Sequence, residues 1–351
     1  MSNWKSVLNE DPSGWLLEKD NPSVRYLTLT QLLEKGENDP DVIRTKGEIP
    51  EYGPVKKIFS KQKEGGYWEN PDTPYLPKYK STYWQIIIFS QLGLSIENDN
   101  VRKACEFIFK FQHEDGGFTI FKEEGVMGEY LWWKNKQEKR GKPVPLFDNW
   151  SKQIIKENEI TCLTGNLVAS LFRLGYKGDS RIKKAVRWLI NVQNSDGGWL
   201  CPYWRAHIKD KHSCFIGTIA TLEAFSEIPE KQRTDEMKRC IEASAQFFLM
   251  HRLYKADHHN FEVINSYWLN FNFPVFWYDI LRGLLVLTKL GYASDGRIQD
   301  AADVLIKKQA DGGRWNLDKT PGGRMHASLG KIGEPNKWVT LNVLRVLKRM
   351  Y

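Results

Sequence analysis

One turn is written four times into this chain. Gln62, Gln112, Gln193 and Gln309 are each followed by a glycine pair and, six positions on, by an aromatic residue: Trp68, Phe118, Trp199 and Trp315. In three copies an apolar stripe sits at one fixed distance ahead of the Gln: Val101, Ala104, Cys105 and Ile108; Ile182, Ala185, Val186 and Leu189; Ile298, Ala301, Ala302 and Leu305. That i, i+3, i+4, i+7 spacing predicts an amphipathic helix. Each copy is one supersecondary unit that cannot bury its own apolar face, so the units must pack on one another.

Between the amphipathic segments lie helices that are apolar nearly all round, as in Trp84-Gln85-Ile86-Ile87-Ile88-Phe89. Such helices are buried. The pattern predicts buried helices over 22–34, 81–93, 161–175, 213–226, 275–291 and 337–349, and amphipathic ones over 53–62, 98–112, 180–193, 232–251 and 296–309. Asn21, Asp179 and Asp295 are placed as N-caps, and Gly93 suits a left-handed helix end. An inner ring of buried helices within an outer ring satisfies this alternation: an all-α, (α/α)6 toroid spanning 1–351 as one domain. An open solenoid satisfies it too, but requires polar terminal caps, and Trp338 to Leu347 is not polar. Residues 1–20 read as an N-terminal arm. Residues 119–159 interrupt the repeat, and an insertion of that length with its own aromatics reads as a lid, an arm on the outside of the ring or a dimer contact.

Composition narrows the function classes. The net charge of +8 is spread over interspersed Lys and Glu, with no basic stripe interleaved with aromatics, so nucleic acid is not an expected partner. No apolar run is long enough to span a bilayer, and the N-terminus has no apolar segment of the signal-peptide kind. Five cysteines in 351 residues do not suggest a disulfide framework, which makes a cytoplasmic protein, monomer or homodimer, the expectation. Fourteen Trp suggest a large core, an aromatic cavity, or both.

The Gln-to-Trp turn with its glycine pair resembles the repeat of squalene and hopene cyclases and the matching repeats of protein prenyltransferase β-subunits, over roughly 50–350. The resemblance implies an α/α toroid whose inner helices enclose an aromatic cavity for isoprenoid chains, with active groups at the inner-helix N-termini. Two departures matter. The Asp-x-Asp-Asp of class II terpene cyclases and the Asp-Asp-x-x-Asp of ionising synthases are both absent. A single toroid is the prenyltransferase β-subunit arrangement, which implies Zn²⁺ held by Asp, Cys and His; protein prenyl transfer itself would need an α-subunit.

Soft metal ligands fall where that arrangement places them. Cys162 opens the third inner helix, Cys201 follows the third Gly-Gly-Trp turn, and His212 and Cys214 open the fourth. Thiolate and imidazole are the ligands Zn²⁺ prefers, and three with an open position make a catalytic site. The plainer reading makes Cys162 and Cys214 small buried hydrophobes. Asp279 falls in register at the start of the fifth inner helix, as a candidate acid or base alongside His212. Tyr83, Trp84, Phe215, Trp277, Tyr278 and Trp338 lie near inner-helix starts, where an aromatic wall could bind a hydrophobic substrate; core packing explains them equally well. Cys105 and Cys240 read as packing, His258 and His259 as loop surface, and Arg324 and His326 as a surface turn or a cavity-mouth pair.

The leading expectation is therefore an enzyme, terpene cyclase-like or prenyltransferase-like, acting on a hydrophobic small molecule near a Zn²⁺ site. The alternatives are a non-catalytic lipid- or prenyl-binding module and a carbohydrate-active α/α barrel, for which no pair of carboxylates stands out.

Overall fold

The computed structural model describes residues 4–204, 207 and 209–351; the side chains of Glu123, Glu124 and His259 lie outside the described residues, and with them the surface role expected of His259. The described residues form helices and isolated β-bridges, with no strand. Besides one helical turn in the N-terminal arm (Ser13–Leu16) and short 3-10 turns, the helices are α1 (Pro22–Leu27, continued by a π turn, Thr28–Leu32), α2 (Pro40–Glu48), α3 (Gly53–Phe59), α4 (Thr82–Gln91), α5 (Asp99–Phe109), α6 (Glu123–Glu138), α7 (Phe147–Glu157), α8 (Thr161–Leu174), α9 (Ser180–Asn191), α10 (Phe215–Glu227), α11 (Asp235–Met250), α12 (Ile280–Lys289), α13 (Gln299–Lys307) and α14 (Lys337–Met350).

The buried set α1, α4, α8, α10, α12 and α14 closes a ring. Neighbours pack in that order, α14 packs back on α1, and Gly93 at the end of α4 lies against Tyr26 of α1. The expected toroid is the observed architecture. The C-terminal ends of α4, α8, α10, α12 and α14 line one common space, so these inner helices point the same way and the ring has an N-terminal and a C-terminal pole. Asn21, Asp179 and Asp295 accept hydrogen bonds from backbone amides of the next turn, as capping side chains do.

The repeated turn works as a clamp. Gln62 Nε2 donates to the carbonyls of Gly66 and Asn100, Gln112 Nε2 to Gly116 and Arg181, and Gln193 Nε2 to Gly197 and Cys240. Each Gln thus ties its own turn to the next outer helix. The glycine four residues after the Gln lets the backbones meet: a Cβ on Gly197 would stand 2.5 Å from the Ala243 carbonyl oxygen. The aromatic amide then donates to a threonine of an inner helix, Thr82, Thr164, Thr218 or Thr340.

The fourth clamp has no following outer helix. The N-terminal arm takes that place: Asn9 N donates to Gln309 Oε1 (2.7 Å), the Glu10 carbonyl lies against Gly313, and Arg314 covers the Trp15 ring at 4.5 Å. Trp4 and Leu16 are buried there, and Lys337 of α14 pairs with Glu18 at 2.8 Å. The ring is closed by its own first residues. The insertion forms an antiparallel pair, α6 and α7, with a small separate core of Phe121, Val126, Tyr130 and Trp150.

Candidate functional site

At the N-terminal pole three thiols approach one another. Cys162 is the second residue of α8, and Cys214 is the N-cap of α10. Cys201 receives a hydrogen bond from the Cys162 thiol, and the Thr161 hydroxyl and the first amides of α8 also face its sulfur, so its pKa falls to about 7 despite burial. Cys162 moves the opposite way, first because it donates to Cys201 and then because it is buried. Burial also raises Cys214. The pair is thus poised as a thiolate with a thiol donor, at a helix N-terminus that favours negative charge.

His212 does not join them. It is exposed, and its amide donates to Asp210 Oδ1 at 3.2 Å. The expected four-ligand set of Cys162, Cys201, His212 and Cys214 therefore does not assemble into a compact group. Among the described residues the group of three or more ligand atoms all within 4.8 Å is His113, Asp115 and Glu159, at the second clamp. There His113 Nδ1 lies 2.6 Å from Glu159 Oε1, and Lys156 Nζ reaches Asp115 and, at 3.1 Å, Glu159. An ammonium already fills the position that a cation would take.

Asp279 sits where the register placed it, as N-cap of α12, accepting from Arg282 N at 2.9 Å. Burial raises its pKa to about 6, against the pull of the Arg282 amide and the Lys319 charge.

The six expected binding aromatics each pack on a neighbouring ring, and Phe215 and Tyr278 meet each other at 5.3 Å. Trp84 donates from Nε1 to the Tyr75 carbonyl and packs on Tyr79 (4.6 Å) and Phe276 (5.0 Å). Trp277 donates to Tyr79 Oη, Tyr83 to the Thr119 carbonyl and Tyr278 to the Leu253 carbonyl. Phe215 stacks on Trp268 at 4.3 Å, and Trp338 meets Phe273 edge-on. All but Trp277 are buried. They fill the N-terminal half of the ring, where an open aromatic cavity was expected.

The open space lies at the other pole. A cavity of about 1130 Å³ is walled by the C-terminal ends of α4, α8, α10, α12 and α14 together with α1, and none of the six aromatics lines it. Residues of the α6–α7 pair do not line it either, so the insertion is not a lid over this opening. Its apolar wall includes Leu27, Leu94, Phe172, Leu285 and Val286, and its floor is ionic. Arg282 donates to Glu223 (2.7 Å), to Asn166 Oδ1 (2.7 Å) and to the carbonyls of Phe276 and Trp277. Arg173 bridges Glu223 and Glu227, and Lys289 pairs with Glu227 at 2.8 Å. Burial opposes ionisation of both carboxyls, but Arg282 and Arg173 hold Glu223 well below the usual carboxylate range, and Arg173 and Lys289 lower Glu227. Burial also lowers Lys289 to about 8, against the pull of Glu227.

This floor was not anticipated from the sequence. Its signal was available: Glu223 and Arg282 each interrupt an otherwise apolar inner helix, and a charge in such a helix needs a partner inside the ring.

No family model and no curated protein matches the chain. Among solved structures it is similar to the type II terpene cyclase MstE from Scytonema in complex with merosterolic acid A, at 16% identity and a TM-score of 0.45, over 96% of this chain and 97% of that one. A complex of MstE with geranylgeranyl dihydroxybenzoate matches at 15% identity and a TM-score of 0.43 (94% and 87% covered), and a protein from Actinoplanes at 15% and 0.44 (95% and 89% covered). Similarity at this level carries no inference about activity.

Proposed function

We propose that the chain is a small-molecule enzyme whose substrate, a compound with a hydrophobic body, enters the ring from its C-terminal pole. One observation carries this reading: the large opening and Lys289, lowered to about 8, lie on the same wall. A cleft lined by titratable groups moved toward neutrality is where proton transfer is supported. A lysine partly neutral near physiological pH can accept a proton, and Glu227 beside it fixes its position.

The same network argues against two rivals. Glycoside cleavage needs one carboxyl that stays protonated, whereas Glu223 and Glu227 are both held ionised by cations. Protonation of a double bond by Asp279 would need that carboxyl on the cavity wall, and it is not there.

Binding of a neutral lipophilic fluorophore, N-phenyl-1-naphthylamine, to wild type and to Val286→Trp tests the reading. Saturable binding that the added ring abolishes supports the cavity as the substrate site. Equal binding by both proteins rejects it.

A second reading concerns the thiols. Cys162, Cys201 and Cys214 are donors of the type Zn²⁺ takes, and the lowered Cys201 supplies one of them as thiolate near neutrality. With His212 exposed, these three are the residues that would hold the ion. When bound, Zn²⁺ would act as a Lewis acid or lower the pKa of a bound water. About one equivalent of zinc in protein purified without an affinity tag, lost in Cys214→Ala, is the expected result; no metal in wild type sinks this reading.

A further inference from the structure

The cavity wall carries more positive charge than it can pair. On the cavity floor Arg173, Arg282, Lys289, Arg345 and Arg349 meet two carboxylates, Glu223 and Glu227; with the rim residues Lys46, Lys177, Glu34, Glu37 and Glu97 the lining holds seven cations and five carboxylates. Both floor carboxylates are already shared, Glu223 between Arg173 and Arg282, and Glu227 between Arg173 and Lys289. Among the described residues neither arginine of α14 forms an ion pair with them, although the charge of Glu227 still reaches both. Arg345 donates from Nη1 to the neutral Asn342 Oδ1 at 2.9 Å, and its Nε is shut off from solvent without a partner. Among the described residues Arg349 donates to the Leu285 carbonyl (3.1 Å) and Thr288 Oγ1 (3.3 Å), both neutral. Of the rim carboxylates Glu34 pairs with Lys348 and Glu97 stands near Lys46, while Glu37 accepts from the neutral Tyr26 Oη.

Helix ends do not account for this surplus. The carbonyls at an α-helix C-terminus favour cations, but the effect fades within the last turn. Lys289 and Arg349 lie in that turn, whereas Arg345 lies five residues before the end of α14. A guanidinium without a counter-charge is costly under these conditions, and burial with the neighbouring Arg349 and Arg173 pushes Arg345 down to about 9.

We infer that this cavity is an oxyanion site in which Arg345 and Arg349, one turn apart on one face of α14, hold a phosphate or diphosphate group of the molecule the cavity admits. Residues four apart on a helix stand side by side, and two guanidinium forks match the oxygens of a tetrahedral anion better than one carboxylate does. The net surplus of two positive charges over the lining also fits a dianion better than a monoanion. The inference rests on the proposed substrate cavity and adds the chemistry of the head group. Lys289 and the apolar wall are left to the body of the ligand.

The test is thermal unfolding of the full chain with inorganic phosphate, inorganic pyrophosphate, acetate or chloride at matched ionic strength. It compares wild type, Arg345→Met, Arg345→Lys and the exposed control Arg44→Gln. Wild type and Arg44→Gln are expected to rise by several degrees with pyrophosphate, less with phosphate, and not with acetate over chloride. Arg345→Met should melt no lower than wild type in chloride, because an unpaired charge has been removed, and should lose the pyrophosphate shift. Arg345→Lys keeps the charge without the fork and should need at least tenfold more pyrophosphate for the same shift. The same pyrophosphate shift in Arg345→Met and wild type, or none in wild type, overturns the inference. So does a lower melting point of Arg345→Met in chloride, which would make Arg345 structural. If the neutral fluorophore binds while pyrophosphate does not, the oxyanion site fails and the cavity reading stands; if neither binds, both fail.

Discussion

The clamp geometry makes a quantitative prediction. Gly197 and Gly178 have nearly the same backbone, at φ +90 and +88, but only Gly197 is crowded: a Cβ there would lie 2.5 Å from the Ala243 carbonyl oxygen, whereas nothing lies within 4 Å of one on Gly178. In both, alanine meets the left-handed penalty of about 1–2 kcal/mol, partly offset by about 0.4–1 kcal/mol from the stiffer unfolded chain. At Gly197 the turn must also back away from α11. That adds about 1–3 kcal/mol of overpacking. It also weakens the Gln193 Nε2 bonds to Gly197 O (2.7 Å) and Cys240 O (3.0 Å), each worth about 0.5–1.5 kcal/mol. Gly197→Ala should therefore cost about 2–4 kcal/mol more than Gly178→Ala. Urea denaturation followed by tryptophan fluorescence and far-ultraviolet circular dichroism measures the difference. If the two variants agree within about 0.5 kcal/mol, the limit for independent sites, the close approach of turn and helix is not what holds the ring and the clamp argument is wrong.

Other outcomes follow from the site. Glu223→Gln leaves Arg282 buried without its counter-ion and should destabilise by about 3–5 kcal/mol, whereas Glu106→Gln, at a largely exposed pair with Arg181, should cost under about 1 kcal/mol; the same urea titration compares them. Asp279 has a folded pKa of about 6, above its ordinary 3.8, so the folded state binds its proton more tightly. Its favourable contribution is present below the unfolded pKa and is lost as pH rises through about 6. Asp279→Asn, which can keep the cap, should be more stable than wild type at pH 7.5 by up to about 3 kcal/mol and equal to it near pH 4; a constant difference across a melting-temperature profile in pH refutes the burial argument. The ultraviolet absorbance of thiolate should titrate near pH 7 in wild type through Cys201, and that step should move upward in Cys162→Ala, which removes the thiol donor; an unmoved step would place the stabilisation elsewhere.

The ring was legible in the sequence because the residues that make it are dictated locally. A Gln that must reach two carbonyls, a glycine against a neighbouring backbone and a large aromatic leave a signature at fixed spacing. The receiving threonines were not legible, since Thr82, Thr164, Thr218 and Thr340 stand at four different distances from their aromatic. Nor was Pro40–Glu48, a weakly apolar helix between two clearer ones. The fifth inner helix begins at Ile280 and not near 275, because Phe276 takes φ +83 and Asp279 turns back to cap the helix. An apolar run of that kind reads as helix until its backbone is seen. At the site, position along the ring brought Cys162 and Cys201 together, but it gave no direction for His212, which sits on a surface loop. The burial of the expected binding aromatics has a related reason. Aromatics near one pole of a ring can line a space or fill it, and which of the two happens depends on the loops that close that pole.

Those loops divide the ring between two kinds of chemistry. Parallel inner helices place their free amides at one end and their free carbonyls at the other, each end carrying about half a charge per helix. The N-terminal pole accordingly holds anions or their precursors, Cys201 and Asp279, under a lid of aromatic rings. The C-terminal pole holds cations around open space. The two are joined by one chain of contacts: Asn166 donates to the Cys162 carbonyl and accepts from Arg282, which binds Glu223 on the cavity floor. The far end of that chain is the first turn of α8, the same turn whose amides face the Cys201 sulfur. The cavity and the thiols need not be rival sites; the polarity of the ring places them at opposite ends of one hydrogen-bonded axis.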